Sequence, residues 1–313
     1  MTIYPLVSII IPLYNHEQFI EQCLNSVLED TYPCKEIVVI DDGSRDSSLE
    51  IARRWQAGAD MSRLAGFTLL TRENRGVTRT LNELVAMAKG DFIAVLASDD
   101  FLLEGGVAAR VAYLKEHSDK MAVFADCTLI DFAGKTISFN GIVELYDARK
   151  PLLLNDRMLP YEIIFNWCVP GPVFMARREL YACVGGYDET ITVEDWDFYL
   201  RLVSRNLLGF INVVVAGYRV RPKEAVHDIS TLQRIRFNEA MLTTVSNHIN
   251  SFSGIRRAYL VAERLKFQSV LERLRGDRSL SAFFRRKIGR VLVSALKVIY
   301  NVWVTILVRC IER

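Results

Sequence analysis

The chain predicts an α/β fold, a mixed and mostly parallel sheet with helices on both faces and a helical extension at the C-terminal end. Three observations carry this. Between residues 7 and 100, short apolar β-rich runs alternate with amphipathic helical runs. Each apolar run stops at a polar cluster, and from about residue 232 the sequence turns helical and basic.

Val7-Ser8-Ile9-Ile10-Ile11 is a continuous apolar strand, expected to stop at Pro12. Asn15 has the chemistry of an N-cap with Gln18 three residues on, and Ile20, Cys23, Leu24, Val27 and Leu28 recur at helical spacing as a buried face. Residues 36–40 form the second strand, ending in the turn Asp41-Asp42-Gly43-Ser44, and a helix follows to about Trp55. Residues 67–70 are a third strand, Asn74-Arg75-Gly76 a turn, and Leu81, Leu84, Val85 and Ala88 the core face of another helix. Residues 92–96 are the fourth strand, ending at Ser98-Asp99-Asp100. Beyond residue 120 the pattern is less regular, with short strands near 121–131 and a polar stretch at 133–160 expected as a loop.

With 313 residues, 50% apolar and 24% charged, the chain can bury a full core and is not a disordered protein. Met1 to Tyr4 lack the basic segment of a secretory leader, so the catalytic part is expected to face the cytoplasm. Six cysteines show neither paired nor regular spacing, which argues against a zinc site or a disulfide framework. The net charge of +2 hides an asymmetry: residues 231–313 hold 16 Lys+Arg against 5 Asp+Glu, leaving 23 against 32 for residues 1–230. A basic tail on an acidic body predicts an anionic partner, and a membrane surface fits better than nucleic acid, for which no reading motif is present.

In open α/β sheets, ligands gather at the carboxyl ends of the strands, so the polar clusters after strands one, two and four are expected to converge. Asp99-Asp100 places two carboxylates where they repel unless a cation or proton sits between them, and hard oxygen ligands suit Mg²⁺ or Mn²⁺ bridging a diphosphate. The same residues also suit a helix cap near Leu102. Tyr14 has the shape to pack on a base while Asp42 accepts a hydrogen bond from a ring N–H, although Asp-Gly turns are common without any ligand. Glu194-Asp195 reads either as a general base with its support or as the acidic first turn of a helix.

In order and spacing, Val7-Ser8-Ile9-Ile10-Ile11-Pro12-Leu13-Tyr14-Asn15, Asp41-Asp42-Gly43-Ser44, Asn74-Arg75-Gly76 with Asn82, and Ala97-Ser98-Asp99-Asp100 resemble glycosyltransferase family 2. That family has the GT-A (nucleotide-diphospho-sugar transferase) fold, an α/β/α sandwich with a mixed, mostly parallel sheet. The resemblance implies an inverting, metal-dependent enzyme that moves one sugar from a nucleotide diphosphate sugar to a saccharide or lipid-linked acceptor in cell-surface polysaccharide or glycolipid synthesis. UDP is expected as the carrier ahead of GDP or dTDP, with Mn²⁺ or Mg²⁺ as cofactor. Donor contacts fall on Pro12, Tyr14, Asn15, Asp42, Asn74, Gly76, Asn82 and Asp99, and the principal metal ligand is Asp100.

Gly185-Gly186-Tyr187-Asp188-Glu189 followed by Val193-Glu194-Asp195-Trp196 resembles the family's acceptor-side segment, which makes Asp195 the general base. His227 falls where relatives carry a histidine near the metal or diphosphate. Arg219 and Arg221 either offset diphosphate charge or lie on a solvated strand face, and Arg79 is expected as an exposed helix position. Trp167 lies under the acceptor pocket by resemblance, with core packing as the other reading. The Gln-x-x-Arg-Trp signature of the family's processive synthases does not follow Asp195, so single-sugar transfer is expected. A catalytically inactive nucleotide-binding relative is the rival reading.

The resemblance places the catalytic domain at residues 1–230, its donor half at about 5–105 and its acceptor half at about 106–230. Residues 231–313 form the basic helical region. There Arg285-Arg286-Lys287 and Arg290 precede residues 291–308, an 18-residue stretch whose only charge is Lys297. A helix of that length, about 27 Å, is marginal for spanning a bilayer. It suits the plane of an anionic interface, with Tyr300 and Trp303 as anchors. Packing on the catalytic domain or a second subunit is the alternative.

Overall fold

The computed structural model describes residues 4–191, 193–220, 230–277 and 279–311. Four strands, β1 (Val7–Leu13), β2 (Lys35–Asp41), β3 (Gly66–Thr71) and β4 (Phe92–Val95), form a parallel unit in the order β3-β2-β1-β4. Beyond β4 the sheet becomes mixed. β8 (Met175–Arg177) runs antiparallel to β4 and to β6 (Ala122–Ile130), which pairs in parallel with β9 (Leu208–Arg219). β5 (Phe101–Leu102) closes that edge antiparallel to β9, and β7 (Thr136–Ser138) adds to β6.

Strand β1 does not stop at Pro12, which stays paired opposite Ile40. The Ile10 carbonyl accepts from Leu96 N–H on the β4 side. Two residues on, Pro12 presents its missing N–H to the same side, where β4 pairing has ended at Ile10, so no ladder bond is lost. Alternation then sends Val7, Ile9, Ile11 and Leu13 to one face, under α1 (Ile20–Glu29), α2 (Ser48–Gly58) and α4 (Gly106–Glu116). Ile10, Val38 and Ile40 face the other way, toward α3 (Val77–Met87), α7 (Leu159–Asn166) and α9 (Glu194–Ser204).

Helix α1 begins at Ile20 with Phe19 at its N-cap, so Asn15 is not the cap that its spacing to Gln18 predicts. Residues 133–160 are not a loop either. They fold as β7, α5 (Gly141–Tyr146) and α6 (Lys150–Leu153), with α7 starting at their end. The cause is a buried carboxylate under them: Asp126 accepts from Ile142 N–H at 3.1 Å and pairs with Lys150 Nζ at 2.6 Å, while Ile142, Leu152 and Leu153 fill the space around it. Gly141 is required there, because a Cβ would lie 2.4 Å from Cys127 Sγ.

Three helices follow, α10 (Thr231–His248), α11 (Gly254–Leu274) and α12 (Leu280–Ile311). Ser230 and Gln233 form a capping box at the start of α10. His248 at its end bonds Asp197 on α9 at 2.7 Å. Helix α12 is longer than residues 291–308 and has two unlike faces. One packs inward through Gly289, Val293, Tyr300 and Val304. A Cβ on Gly289 would lie 2.8 Å from the Lys266 backbone nitrogen, so the glycine sets how closely α12 approaches α11.

Tyr300 is 1% exposed. It donates to Glu162 Oε2 at 2.6 Å and stacks on Phe165 at 4.2 Å, so it is an internal anchor and not the interfacial one expected. Arg149 completes the charge pair with Glu162 at 3.1 Å. The other face of α12 exposes Ile288, Val291, Val298, Ile299, Val302 and Ile306.

Tyr300→Phe removes one of the donors to the fully buried Glu162. We expect a loss of about 1–3 kcal/mol in urea unfolding; an unchanged midpoint would mean that α12 is not held by this bond.

Candidate active site

The first two loops meet as the chain order predicts. Asn15 adopts a left-handed backbone (φ 53°), which the asparagine side chain tolerates, and its Oδ1 accepts from Arg45 N–H at 2.8 Å. Its own N–H donates to Ser44 Oγ at 3.0 Å. Asn15 is thus the pin between the β1 loop and the Asp41–Ser44 turn. Gly43 (φ 73°) closes the turn against the 72–76 loop, where a Cβ would meet Asn74 N at 2.9 Å.

Asp42 is buried, and its carboxylate holds that third loop. Oδ1 accepts from Arg75 N–H at 2.7 Å and pairs with Arg72, and Oδ2 accepts from Gly76 N–H at 3.0 Å. Gly76 (φ 87°) is the N-cap of α3. Tyr14 and Asn74 are exposed beside these loops, and Pro12 is half-buried.

Asn82 spends its amide on the far segment. It donates to Tyr187 O at 2.9 Å and Glu189 Oε1 at 3.0 Å, and accepts from Tyr187 N–H at 2.8 Å. It clamps α3 to the glycine-rich stretch before α9, and Gly186 is glycine because a Cβ would lie 2.6 Å from Asn82 Oδ1. Arg79 is an exposed helix position, as expected, paired with Glu189 at 3.0 Å.

Asp99 and Asp100 precede β5 and cap no helix, since α4 begins only at Gly106. Asp100 is 2% exposed. Its Oδ1 accepts from Arg219 N–H at 2.8 Å, and its Oδ2 has no hydrogen-bond partner. Burial, and then the neighbouring Asp99 charge, push its carboxyl well above the usual range. A buried hard oxygen without a donor is what a divalent cation would satisfy, so the residues fit Mg²⁺ or Mn²⁺.

Among the described residues no set of three or more His, Cys, Asp or Glu side chains meets at one point. Asp99 and Asp100 would therefore leave the remaining positions of such an ion to diphosphate oxygens and water. His227 and Arg221 lie outside the described residues. Arg219 does not lie on a solvated strand face. Its guanidinium donates to Asp99 O at 2.8 Å, Asp131 O at 2.8 Å and Gln22 Oε1 at 2.8 Å, fixing the loop that carries the carboxylates.

Glu194 and Asp195 open α9. Burial raises Asp195 to about 6, and burial followed by Asp195 raises Glu194 to about 7. Thr78, on the first turn of α3, donates to Glu194 at 3.5 Å, so Asp42, Gly76, Thr78 and Glu194 lie along one path of contacts. The Tyr218 phenol is pushed up to about 12 by burial and then by the charges of Asp100, Asp99, Cys127 and Asp195. The acidic groups share one rim of the sheet.

Two residues at this rim carry no signal in the sequence pattern. His16 bonds Ser98 Oγ at 2.7 Å through Nδ1 and approaches Asp99 at 3.7 Å, joining the first loop to the fourth. Its neighbour Asn15, inside the recognised motif, is the only pointer to it. Tyr218 reaches the rim through the long-range β6–β9 pairing.

The family described as "Glycosyl transferase family 2" matches residues 8–184, more than half of the chain. A "PGL/p-HBAD biosynthesis glycosyltransferase" of Mycobacterium bovis is 30% identical over 219 residues, covering 68% of this chain and 77% of that protein. S. aureus TarS 1-349, solved in complex with UDP-GlcNAc, superposes with a TM-score of 0.64 at 18% identity over 94% of this chain and 91% of that one. A mannosyltransferase from Pyrobaculum calidifontis, in complex with GDP-Man and Mn²⁺, gives 0.61 at 20% identity, covering 96% and 88%. These likenesses bear out the mixed α/β/α sandwich with C-terminal helices.

Without metal, the buried Asp100 binds a proton more tightly in the folded than in the unfolded chain, so its contribution to stability falls as pH rises above the ordinary carboxylate range. Asp100→Asn is expected to raise Tm at neutral pH in the absence of metal. Mn²⁺ with UDP should raise the Tm of the wild type and not of the variant; an equal metal response in both would remove Asp100 as a ligand.

Proposed function

The chain belongs to glycosyltransferase family 2, and on that premise we propose that it moves a single sugar from a nucleoside diphosphate sugar to an acceptor hydroxyl with inversion, Asp195 acting as base. The observation that supports this most directly is the joining of the acidic loops by side chains: Asn15 meets Ser44, His16 meets Ser98 and Asp99, and Thr78 at the start of α3 reaches Glu194. A metal ion bound there supplies positive charge against the diphosphate as it leaves. Asp100 would hold that ion through its unpaired oxygen, with Asp99 beside it.

The chain's own groups divide the work. The rim formed by Pro12, Tyr14 and Asp42 receives the base and ribose, with Asp42 kept rigid by the 72–76 loop. Asp195 takes the acceptor proton as the new bond to the anomeric carbon forms and the bond to the diphosphate breaks. At about 6 its carboxyl is still ionised at neutral pH and is a better proton acceptor than an ordinary aspartate. Glu194, near 7, carries a share of protonated form at neutral pH and so weakens the repulsion on Asp195.

UDP is the proposed carrier, in keeping with the TarS complexes. The proposed acceptor is a saccharide or lipid-linked glycan precursor at the cytoplasmic face of the membrane. Helix α12 supports that location. Residues Leu280–Ile306 are apolar enough to cross a bilayer, with mean hydropathy 1.3. Burial of Tyr300 and Val304 against the protein favours a helix lying in the interface, apolar side chains down and Lys287, Arg290 and Lys297 among them.

Asp195→Asn should lower transfer by about 10²–10⁴-fold while metal-dependent UDP binding is retained. The wild-type rate should climb as pH passes through about 6 and then level; unchanged turnover in the variant would remove Asp195 as base. The paired changes Val298→Glu and Val302→Glu should abolish sedimentation with anionic vesicles and leave UDP binding intact. Sedimentation equal to wild type would place the membrane contact elsewhere.

A further inference from the structure

His16 stands in the first loop, and its backbone is held from both directions. Its N–H donates to Ser48 Oγ at 2.8 Å, and its carbonyl accepts from Phe19 N–H and Ile20 N–H at 3.0 Å each. The imidazole is thereby aimed across the rim at the loop after β4. There Nδ1 bonds Ser98 Oγ at 2.7 Å, while Nε2 faces Asp99 Oδ2 at 3.7 Å. Phe19 meets the ring edge-on at 6.1 Å, and the Arg219 guanidinium, which holds the Asp99 carbonyl, lies over Phe19 at 4.3 Å. His16 and Arg219 thus flank one aromatic ring, and both turn toward Asp99.

The bonding pattern fixes the tautomer. Ser98 is 1% exposed, so its hydroxyl proton needs an acceptor inside the protein, and Nδ1 is the one it has. The ring proton is then on Nε2, on the side of Asp99. At 3.7 Å this is too long for a hydrogen bond.

The two carboxylates of the pair are held very differently. Asp100 has the Arg219 N–H on one oxygen, whereas among the described residues the Asp99 carboxylate accepts no hydrogen bond and has His16 as its one ion-pair partner. Nothing else orients it. Carboxylates that ligate a metal are in turn hydrogen-bonded, because the bond fixes the direction of the oxygen given to the ion.

We propose that His16 is a positioning residue for the metal: its neutral Nε2–H donates to the Asp99 carboxylate once an ion is bound, and so holds Asp99 toward that ion beside Asp100. Ser98 acts through His16, by keeping the proton on Nε2. The proposal rests on the transferase reading and deepens it, since the loop that borders the nucleotide then also sets metal affinity.

The test is a titration of the full chain with Mn²⁺ at saturating UDP, read from the electron paramagnetic resonance signal of the free ion. His16→Phe keeps a ring against Phe19 and removes both nitrogens, and it should weaken Mn²⁺ binding by about 10–100-fold, the usual cost of losing a hydrogen bond to a metal ligand. His16→Gln offers an acceptor to Ser98 and an N–H to Asp99, and should bind Mn²⁺ nearly as the wild type does. Ser98→Ala leaves the ring in place without fixing its proton, and should give a smaller loss than His16→Phe. A merely structural role for the ring would cost both His16 variants alike, so rescue by glutamine is the readout that separates the two.

Unchanged Mn²⁺ affinity in His16→Phe would overturn the proposal. So would equal losses in His16→Phe and His16→Gln, which would make the imidazole itself a ligand or a packing element. Ser98→Ala binding as tightly as the wild type would count the same way, and decides the matter should His16→Phe not fold. Failure of the wild type to bind Mn²⁺ with UDP would strike the metal-dependent reading and the proposal together, whereas wild-type binding with unchanged variants strikes the proposal alone.

Discussion

The structure is organised around one carboxylate that is only half satisfied. Asp100 is buried at the end of the β4 segment, with one oxygen held by the Arg219 N–H and the other facing no donor. Removing a carboxylate from water is costly unless it is paired or coordinated, so the fold must hold it there by other means. It does so through the antiparallel β5–β9 pairing, which brings Arg219 alongside, and through the Arg219 guanidinium, which ties the Asp99 carbonyl to the β6–β7 turn and to Gln22 on α1. The result is a pre-formed acidic pair that would suit a cation, at the edge where the parallel unit gives way to the mixed one.

A second constraint holds the proposed base. The loops after the parallel strands and the glycine-rich stretch before α9 are joined by side chains of α3. Asn82 reads the Tyr187 backbone in both directions, and Thr78 reaches Glu194. Asp42 locks the start of that helix through Gly76. The Asp42 loop, α3 and the N-terminus of α9 are thus tied together by hydrogen bonds. On its far side α9 is held by Asp197, shared between Arg201 and His248, so α10 also braces α9.

What could be read from the amino-acid order was whatever local pattern determines. Strands β1 to β4 are apolar runs with hard stops and appeared within two residues of their ends, and the helices between them carry their core faces at helical spacing, so they appeared as elements but not at their limits. What could not be read depended on distant partners. Pro12 stays in β1 because β4 has already ended beside it. Asn15 serves the next loop and not the next helix. Residues 133–160 are polar in composition yet helical, because Asp126, far back in β6, is buried beneath them. Tyr300 looked like an interfacial anchor because nothing local shows that Glu162 awaits its hydroxyl. The acidic motifs themselves stood out, while their supports Arg72, Arg219, His16 and Tyr218 did not.

The C-terminal helices pack against the sheet domain on the side of α7 and α9: α12 faces outward with apolar and basic groups and inward with a tyrosine that locks it in place. All of this depends on the metal and the donor meeting at the rim where Asp99, Asp100 and Asp195 converge. Anomalous diffraction from crystals grown with Mn²⁺ and a UDP-sugar tests that directly. The account predicts a single strong manganese peak against Asp100 Oδ2, bridging to the diphosphate, with the sugar's anomeric carbon on the side of Asp195. A manganese peak away from Asp100, or a diphosphate bound where Asp195 cannot reach the sugar, would contradict it.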